Sequence, residues 1–207
     1  MKKVCYNKFM KQNYKKAAIL KLKTIVKQGY IPSREGESYL FADQITNPAV
    51  TKLANCFEHA CFNLPNLKLA EFSYQETKLF DLRDFQFQSE EQIAKNFTNL
   101  LKKCGLKVER LKKEVIIKDN QWIVALYFGN NGSIMNVDFH FLRQEKDGRW
   151  SSKHGWGGDV EYFDSLPTQI EHNDWIYKLY ERYIITNPYA QKISEDASES
   201  SLENHAI

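Results

Sequence analysis

The hydrophobic pattern of this 207-residue chain changes its period near residue 105, and this change constrains the fold more than any other feature. Before that point apolar residues recur at helical spacing, whereas after it they alternate or form short continuous runs, as they do in strands. Helices followed by strands are typical of α+β proteins. We therefore predict an α+β fold in which N-terminal helices, one of them carrying Cys56, pack on an antiparallel β-meander.

Three helices are predicted in the first half of the chain. The first covers about residues 6–28 and ends at a glycine, which suits a helix C-cap. The second starts near Asn47 and Pro48, with asparagine as N-cap and proline at the first helical position. The third opens at Ser89–Gln92, which has the pattern of a capping box, and stops at Gly105.

Strand patterns dominate the second half. Strands are predicted at 106–111 and 115–117, and the nearly continuous apolar run 122–128 is typical of a central strand. Residues 137–142 alternate between apolar and polar side chains. A terminal helix over about 172–186 is predicted to close the fold, from the spacing of Asp174, Trp175, Leu179, Tyr180 and Tyr183.

The alternating segment 137–142 and the residues that follow it predict a β-hairpin and its register. Lys146–Gly148 suits a three-residue loop with glycine in the left-handed position. In that register His140 lies opposite His154, and Ser152 is a diagonal neighbour on the same face. One face carries Val137, Phe139 and Phe141, and the other carries Asp138, His140 and Leu142.

Length and composition favour one domain with appendages. We divide the chain into a basic helix and connection (1–46), an α+β core (47–189) and an acidic, serine-rich tail (190–207) with too little apolar surface to order itself. The net charge of +3 hides an asymmetry, because the first 34 residues contain ten basic residues and no acid. Nucleic-acid binding is one interpretation of these lysines. The apolar spacing of Met10, Tyr14, Ala18, Leu22 and Ile25 favours the solvated face of a packed helix.

The four cysteines, at positions 5, 56, 61 and 104, form no CxxC pair and follow no secretory signal. Free thiols in a reducing cytoplasm are the simplest interpretation, and export without a classical signal peptide fits equally well. No apolar run approaches membrane-spanning length, so we expect no membrane association. Cys56, Cys61, Cys104 and His59 match no standard zinc spacing, and we predict no metal site.

The order of Cys56 and His140 is that of a thiol nucleophile and its base. Cys56 lies on a predicted helix, and His140 follows 84 residues later on a predicted strand. Sulfur attacks as thiolate, and a nearby imidazole is a common means of ionising it near neutral pH. Both residues have aromatic neighbours, however, and a purely structural role in the core is an equally open interpretation.

These residues also carry a resemblance to papain-like cysteine peptidases, most closely to the compact NlpC/P60-type peptidases and amidases. The chain resembles small bacterial and phage proteins with the same three motifs in the same order. The matching segments are Asn55–Phe57 with Ala60, Asp138–Gln144 and Asp147–Lys153. The resemblance implies a papain-like core with Cys56 as nucleophile and His140 as base. It also implies an oxyanion contact from the Cys56 N–H and the Asn55 amide.

A third polar group next to the histidine normally fixes its tautomer in such sites. This chain has Ser152 where the resemblance leads us to expect histidine, so Asp138, Ser152 and His154 are all candidates. The glycine-rich segment around Trp156 is interpreted either as a substrate-binding loop or as a tight turn.

The predicted function is that of a thiol-dependent hydrolase or acyltransferase acting on an amide or ester bond of a peptide or protein, without a cofactor. The alternative is a catalytically inactive papain-like module that binds a protein partner. The substitution at Ser152 favours this alternative, whereas the presence of both Cys56 and His140 opposes it.

Overall fold

In a computed structural model of the protein, three helices of the described residues pack on a seven-stranded antiparallel sheet. The structure describes residues 2–32, 55–62, 80, 88–130, 137–154 and 160–190, with side chains of the first helix described from residue 15. The helices are α1 (Lys2–Lys27), α2 (Cys56–Phe62) and α3 (Glu90–Lys103). The strands are β1 (Lys107–Arg110), β2 (Gln121–Asn130), β3 (Asp138–Gln144), β4 (Trp150–Lys153), β5 (Val160–Phe163), β6 (Gln169–His172) and β7 (Trp175–Thr186).

Helix α3 begins and ends as its sequence predicts. The Ser89 side chain accepts a hydrogen bond from the Gln92 N–H (3.3 Å), which is the N-cap interaction of the predicted capping box. After the helix, Gly105 adopts φ +97°, a left-handed conformation that favours glycine. Helix α1 also agrees with its prediction. Ala18, Leu22 and Ile25 are buried, and Lys16, Lys21, Lys23 and Lys27 are exposed.

The helix that carries Cys56 begins at Cys56 itself, not near Asn47. The Asn55 side chain accepts a hydrogen bond from the Glu58 N–H (2.8 Å), and the Glu58 carboxylate accepts one from the Asn55 N–H (3.1 Å). These reciprocal bonds form a capping box, so the helix start is fixed at this point. Asn47 and Pro48 lie outside the described residues.

The strand order of the sheet is β1-β7-β2-β3-β4-β5. Strand β6 pairs with residues 175–178 of β7, on the same side of β7 where β1 pairs with residues 183–186. Strands β2 to β5 follow one another as an antiparallel meander, as predicted. Strand β7 is inserted between β1 and β2 and pairs along nearly the whole length of β2. Strand β2 is therefore central, and eight of its ten residues are buried.

The predicted terminal helix is wrong, because residues 175–186 form the longest strand of the sheet. This segment is rich in aromatic and β-branched residues, which favour strands. Its apolar spacing fits either structure, and the pairing available on both sides of β7 decides between them. The strand predicted at 115–117 is also absent: these residues form no strand, and Ile116 is 98% exposed.

The two faces of the sheet bury separate clusters. Under the helices, aromatic rings pack around Phe57 and Phe97. Phe57 meets Phe141 edge to face with centroids 5.7 Å apart, and Phe97 lies tilted against Phe141 at 4.9 Å. The opposite face buries Tyr127 and Tyr177 among aliphatic side chains. None of the helices in the described residues has both the length and the apolar character needed to cross a bilayer.

Candidate functional site

The hairpin of β3 and β4 has the register predicted from sequence. Leu142 pairs with Ser152 and Gln144 with Trp150, and extending this ladder brings His140 opposite His154. Gly148 in the loop has φ +91°, as the predicted hairpin requires.

Ser152 is the polar residue that holds the His140 ring. A hydrogen bond of 2.7 Å joins His140 Nε2 to the Ser152 Oγ, and both residues are buried. The other two candidates for this position have different partners. His154 stacks on His140 at 4.9 Å and hydrogen-bonds through its Nε2 to Glu161 (2.9 Å). Asp138 accepts hydrogen bonds from the Tyr177 hydroxyl (2.8 Å) and the Phe139 N–H.

Three imidazole rings form a stack that begins at His140. His172 at the end of β6 packs on His154 with ring centroids 4.1 Å apart, and the rings are nearly parallel. Strands β7, β2 and β3 separate β6 from β4 in the sheet, so the sheet must curl over this face to bring the two rings together. The turn before β7, where Asn173 and Asp174 both have positive φ, ends β6 at His172.

Burial keeps the inner imidazole neutral. Desolvation, together with the neighbouring His154 and His172, lowers the pKa of His140 to about 3. The pKa of His172 is also lowered, mainly by desolvation. At neutral pH, His140 is therefore an uncharged base with one ring nitrogen engaged by Ser152.

Cys56 lies against the same strand from the helix side. It belongs to the cluster under the helices, and it is 8% exposed, whereas Cys61 and Cys104 are fully buried. The backbone N–H groups of Phe141 and Phe57 lie close enough to the sulfur to favour its thiolate. Phe141 directly follows His140, so the thiol contacts β3 one residue from the candidate base.

The resting thiol is protonated. Burial raises the pKa of Cys56 to about 12, and the Asp138 carboxylate contributes to this increase. Alternation along β3 directs His140 to the face opposite Phe141. Within the described residues, no hydrogen bond joins the Cys56 sulfur to His140. The structure therefore brings both residues to one strand as a neutral thiol and a neutral imidazole.

Asp138 and Tyr177 form a second polar contact beside the site. Tyr177 reaches Asp138 across Gly129, where a Cβ atom would lie 2.6 Å from the tyrosine ring. The absence of a side chain at Gly129 therefore permits this hydrogen bond. The Tyr177 ring also lies 5.5 Å from that of His140.

Of the two residues predicted to contact substrate, Asn55 and Trp156, only Asn55 is among the described residues. Asn55 is buried, and its side-chain oxygen caps α2. This use leaves the amide nitrogen of Asn55 as the only part of that side chain able to donate a hydrogen bond to an oxyanion. Trp156 lies outside the described residues.

Sequence reasoning missed the partners that come from β6 and β7. His172 and Tyr177 fell in or next to the predicted terminal helix, so their side-chain directions were not readable. The available signal was the pair Asn173-Asp174, because both residue types tolerate positive φ and favour a turn. A turn at this point predicts two strands in place of the helix.

No protein-family model, curated protein or solved structure matches this chain. Among the described residues, no group of three or more His, Cys, Asp or Glu side chains has the arrangement of a metal site. The function therefore has to be inferred from the chemistry of Cys56, His140 and their neighbours.

Proposed function

We propose that the protein is a thiol-dependent hydrolase or acyltransferase that acts on an amide or ester bond through Cys56 and His140. The observation that carries this proposal is the 2.7 Å hydrogen bond between Ser152 and His140 Nε2, on a strand whose next residue contacts the Cys56 sulfur. A nucleophile, a base and a group that orients the base are the components that such chemistry requires. The papain-like identity of the core belongs to the same proposal.

The neutral state of both residues favours general-base activation over a preformed ion pair. Because Ser152 engages Nε2, Nδ1 is the nitrogen of His140 left to take the thiol proton. This transfer requires substrate binding to bring the sulfur and the ring into contact as sulfur attacks the carbonyl carbon. The C–S bond forms, the bond to the leaving group breaks, and the imidazolium returns its proton to that group. Water then attacks the thioester and gives a proton to His140, and the released thiol is reprotonated. Catalytic hydrogen bonds are often loose without substrate and tighten when substrate binds.

The protonation states also favour a second function. A thiol with a pKa of about 12 and an imidazole with a pKa of about 3 do not form a thiolate–imidazolium pair. This combination is expected if Cys56 and His140 are core residues of a catalytically inactive module that binds a protein partner. The two functions differ in whether Cys56 accepts an acyl group.

Acyl transfer from p-nitrophenyl acetate at pH 7, followed by intact mass and peptide mapping, separates the two functions. We expect one acetyl group on Cys56 in the wild-type protein. The Cys56→Ala variant should lack it, and His140→Ala should form it at least about a hundredfold more slowly, since a general base contributes a factor of this size.

Cys104→Ala is the matched control, because Cys104 is also buried and its pKa is also raised to about 12. This variant should acylate like the wild-type protein. Acylation that is spread over several cysteines, or that is unchanged in His140→Ala, would remove the hydrolase proposal and leave the inactive module.

A further inference from the structure

We infer that a buried polar clamp, formed by His59, Arg143, Glu145 and Ser151, positions the Cys56 helix against the strand of His140. Its members come from α2, from β3 and β4, and from the loop that joins those strands. All four are at least nine-tenths buried. The clamp lies on the helix side of the sheet, apart from the contact of His140 with Ser152. The effect of this clamp on catalysis rests on the proposed function.

The hydrogen bonds of the clamp form a continuous chain from helix to strand. Arg143 binds the Glu145 carboxylate through Nε (3.3 Å) and Nη2 (2.8 Å). The Ser151 hydroxyl donates to the same carboxylate oxygen. Since the serine proton is directed to Glu145, the His59 Nε2–H donates to the Ser151 Oγ across 3.0 Å. Burial and the nearby Arg143 lower the pKa of His59, which keeps the ring neutral for this role.

Arg143 also binds the backbone of α2. Its Nη1 donates to the His59 carbonyl at 3.0 Å. This carbonyl belongs to the last four of the helix, which have no partner within the helix. A seven-residue helix is too short to be stable alone. The guanidinium therefore supplies a contact that the helix cannot supply for itself.

Fixing His59 also fixes Cys56, because residues three positions apart lie on the same side of a helix. The Asn55–Glu58 capping box holds the first turn, and the clamp holds the last one. Buried ion pairs often add little net stability compared with apolar side chains, and in some proteins their role is to specify one arrangement. Arg143 and Glu145 are thus suited to positioning the helix more than to stabilising the fold.

A double substitution distinguishes positioning from stability. Arg143→Met with Glu145→Leu replaces the whole ion pair with apolar side chains, so no unpaired charge is left in the core. The urea midpoint should fall only modestly, through the hydrogen bonds that Ser151 and the His59 carbonyl lose. Amide hydrogen exchange should accelerate in residues 55–62 and stay slow in residues 90–103. Acetylation of Cys56 by p-nitrophenyl acetate should fall roughly 10- to 100-fold, the cost of a misplaced reacting group.

A control is available at a surface ion pair. Arg182 of β7 pairs with the exposed Glu114, and the substitutions Arg182→Met and Glu114→Leu should change neither exchange in α2 nor acetylation. Ser151→Ala is a second test if the double variant does not fold, because it removes only the bridge between His59 and Glu145. We expect it to accelerate exchange in α2 selectively.

Two results would overturn the inference. In one, α2 keeps wild-type exchange in the variants that fold. In the other, α2 and α3 lose protection together, which indicates a general loss of stability. If wild-type Cys56 is not acetylated at all, the proposed function fails, and the exchange data alone still decide whether the clamp positions α2.

Discussion

The face of the sheet under the helices is packed with phenyl rings, whereas the opposite face holds three histidines and two tyrosines. The first face includes Phe57, Phe80, Phe97, Phe139 and Phe141, whose rings contact one another. On the second face, the stacked imidazoles, Tyr127 and Tyr177 use their polar atoms in hydrogen bonds. The phenyl rings of the first face therefore supply stability that does not depend on pH. The second supplies groups whose protonation changes, and the candidate site lies where the two meet at β3.

The largest effect on stability should come from the phenyl face. Phe97 is fully buried and contacts the rings of Phe57, Phe80, Phe141 and Tyr183. Phe97→Ala should lower the free energy of unfolding by about 3–5 kcal/mol, through lost transfer energy and the cavity that remains. Urea denaturation measures this change. Tyr162→Ala is the control, because Tyr162 is 53% exposed. A comparable loss of stability in this variant would contradict the claim that the buried phenyl rings supply most of the stability.

The histidine face should make the protein sensitive to acid. The pKa of His140 in the folded protein is about 3, below the ordinary 6.5, so only the unfolded chain binds this proton between those values. Stability is therefore unaffected above pH 6.5 and is lost as the pH falls below it. The contribution of His140 between pH 7.5 and 5 is about 2 kcal/mol, from about 1.4 kcal/mol per pH unit. His59 and His172, whose pKa values are also lowered, act in the same direction.

The variant His140→Gln isolates this contribution, because glutamine can still hydrogen-bond to Ser152. Urea denaturation at several pH values should show that the variant loses less stability than the wild-type protein between pH 7.5 and 5. Parallel curves for the two proteins would mean that His140 is not held neutral in the folded state.

A smaller effect is expected at Cys56 itself. Asp138 is the largest electrostatic cause of the raised pKa of this thiol, after burial, whereas Glu58 has the smallest effect of the causes identified. Asp138→Asn should therefore lower the pKa of Cys56 and increase its alkylation rate at pH 9 by up to about tenfold, one pKa unit. Glu58→Gln should act in the same direction but more weakly. A slower or unchanged rate in Asp138→Asn would mean that the Asp138 carboxylate lies too far from the sulfur to raise its pKa.

Local signals in the sequence determine much of the fold. The N-cap of α3 at Ser89 and the register of the β3–β4 hairpin depend on neighbouring residues, and both were predicted correctly. Strand β7 depends on long-range pairing with β1 and β2, which the sequence does not display. Its apolar spacing fits a helix equally well, and tertiary pairing overrides that preference.

The candidate site was predictable to a similar extent. The order of Cys56 and His140 and the side-chain parity of Ser152 are sequence properties, and the hydrogen bond between Ser152 and His140 follows from the hairpin register. The contacts of His172 and Tyr177 require the curled sheet, so they were not readable. Protonation states depend on burial, which is a property of the assembled fold.

The most direct test of the Cys56–His140 site is the alkylation rate of Cys56 from pH 5 to 10, with Cys104 in the same molecule as reference. Burial raises the pKa of both thiols to about 12, so an isolated thiol at either position should be inert near neutral pH. We predict that Cys56 reacts near pH 7 while Cys104 does not, and that His140→Ala makes the profile of Cys56 match that of Cys104. Identical profiles in the wild-type protein, or no change in His140→Ala, would contradict a catalytic role for this pair.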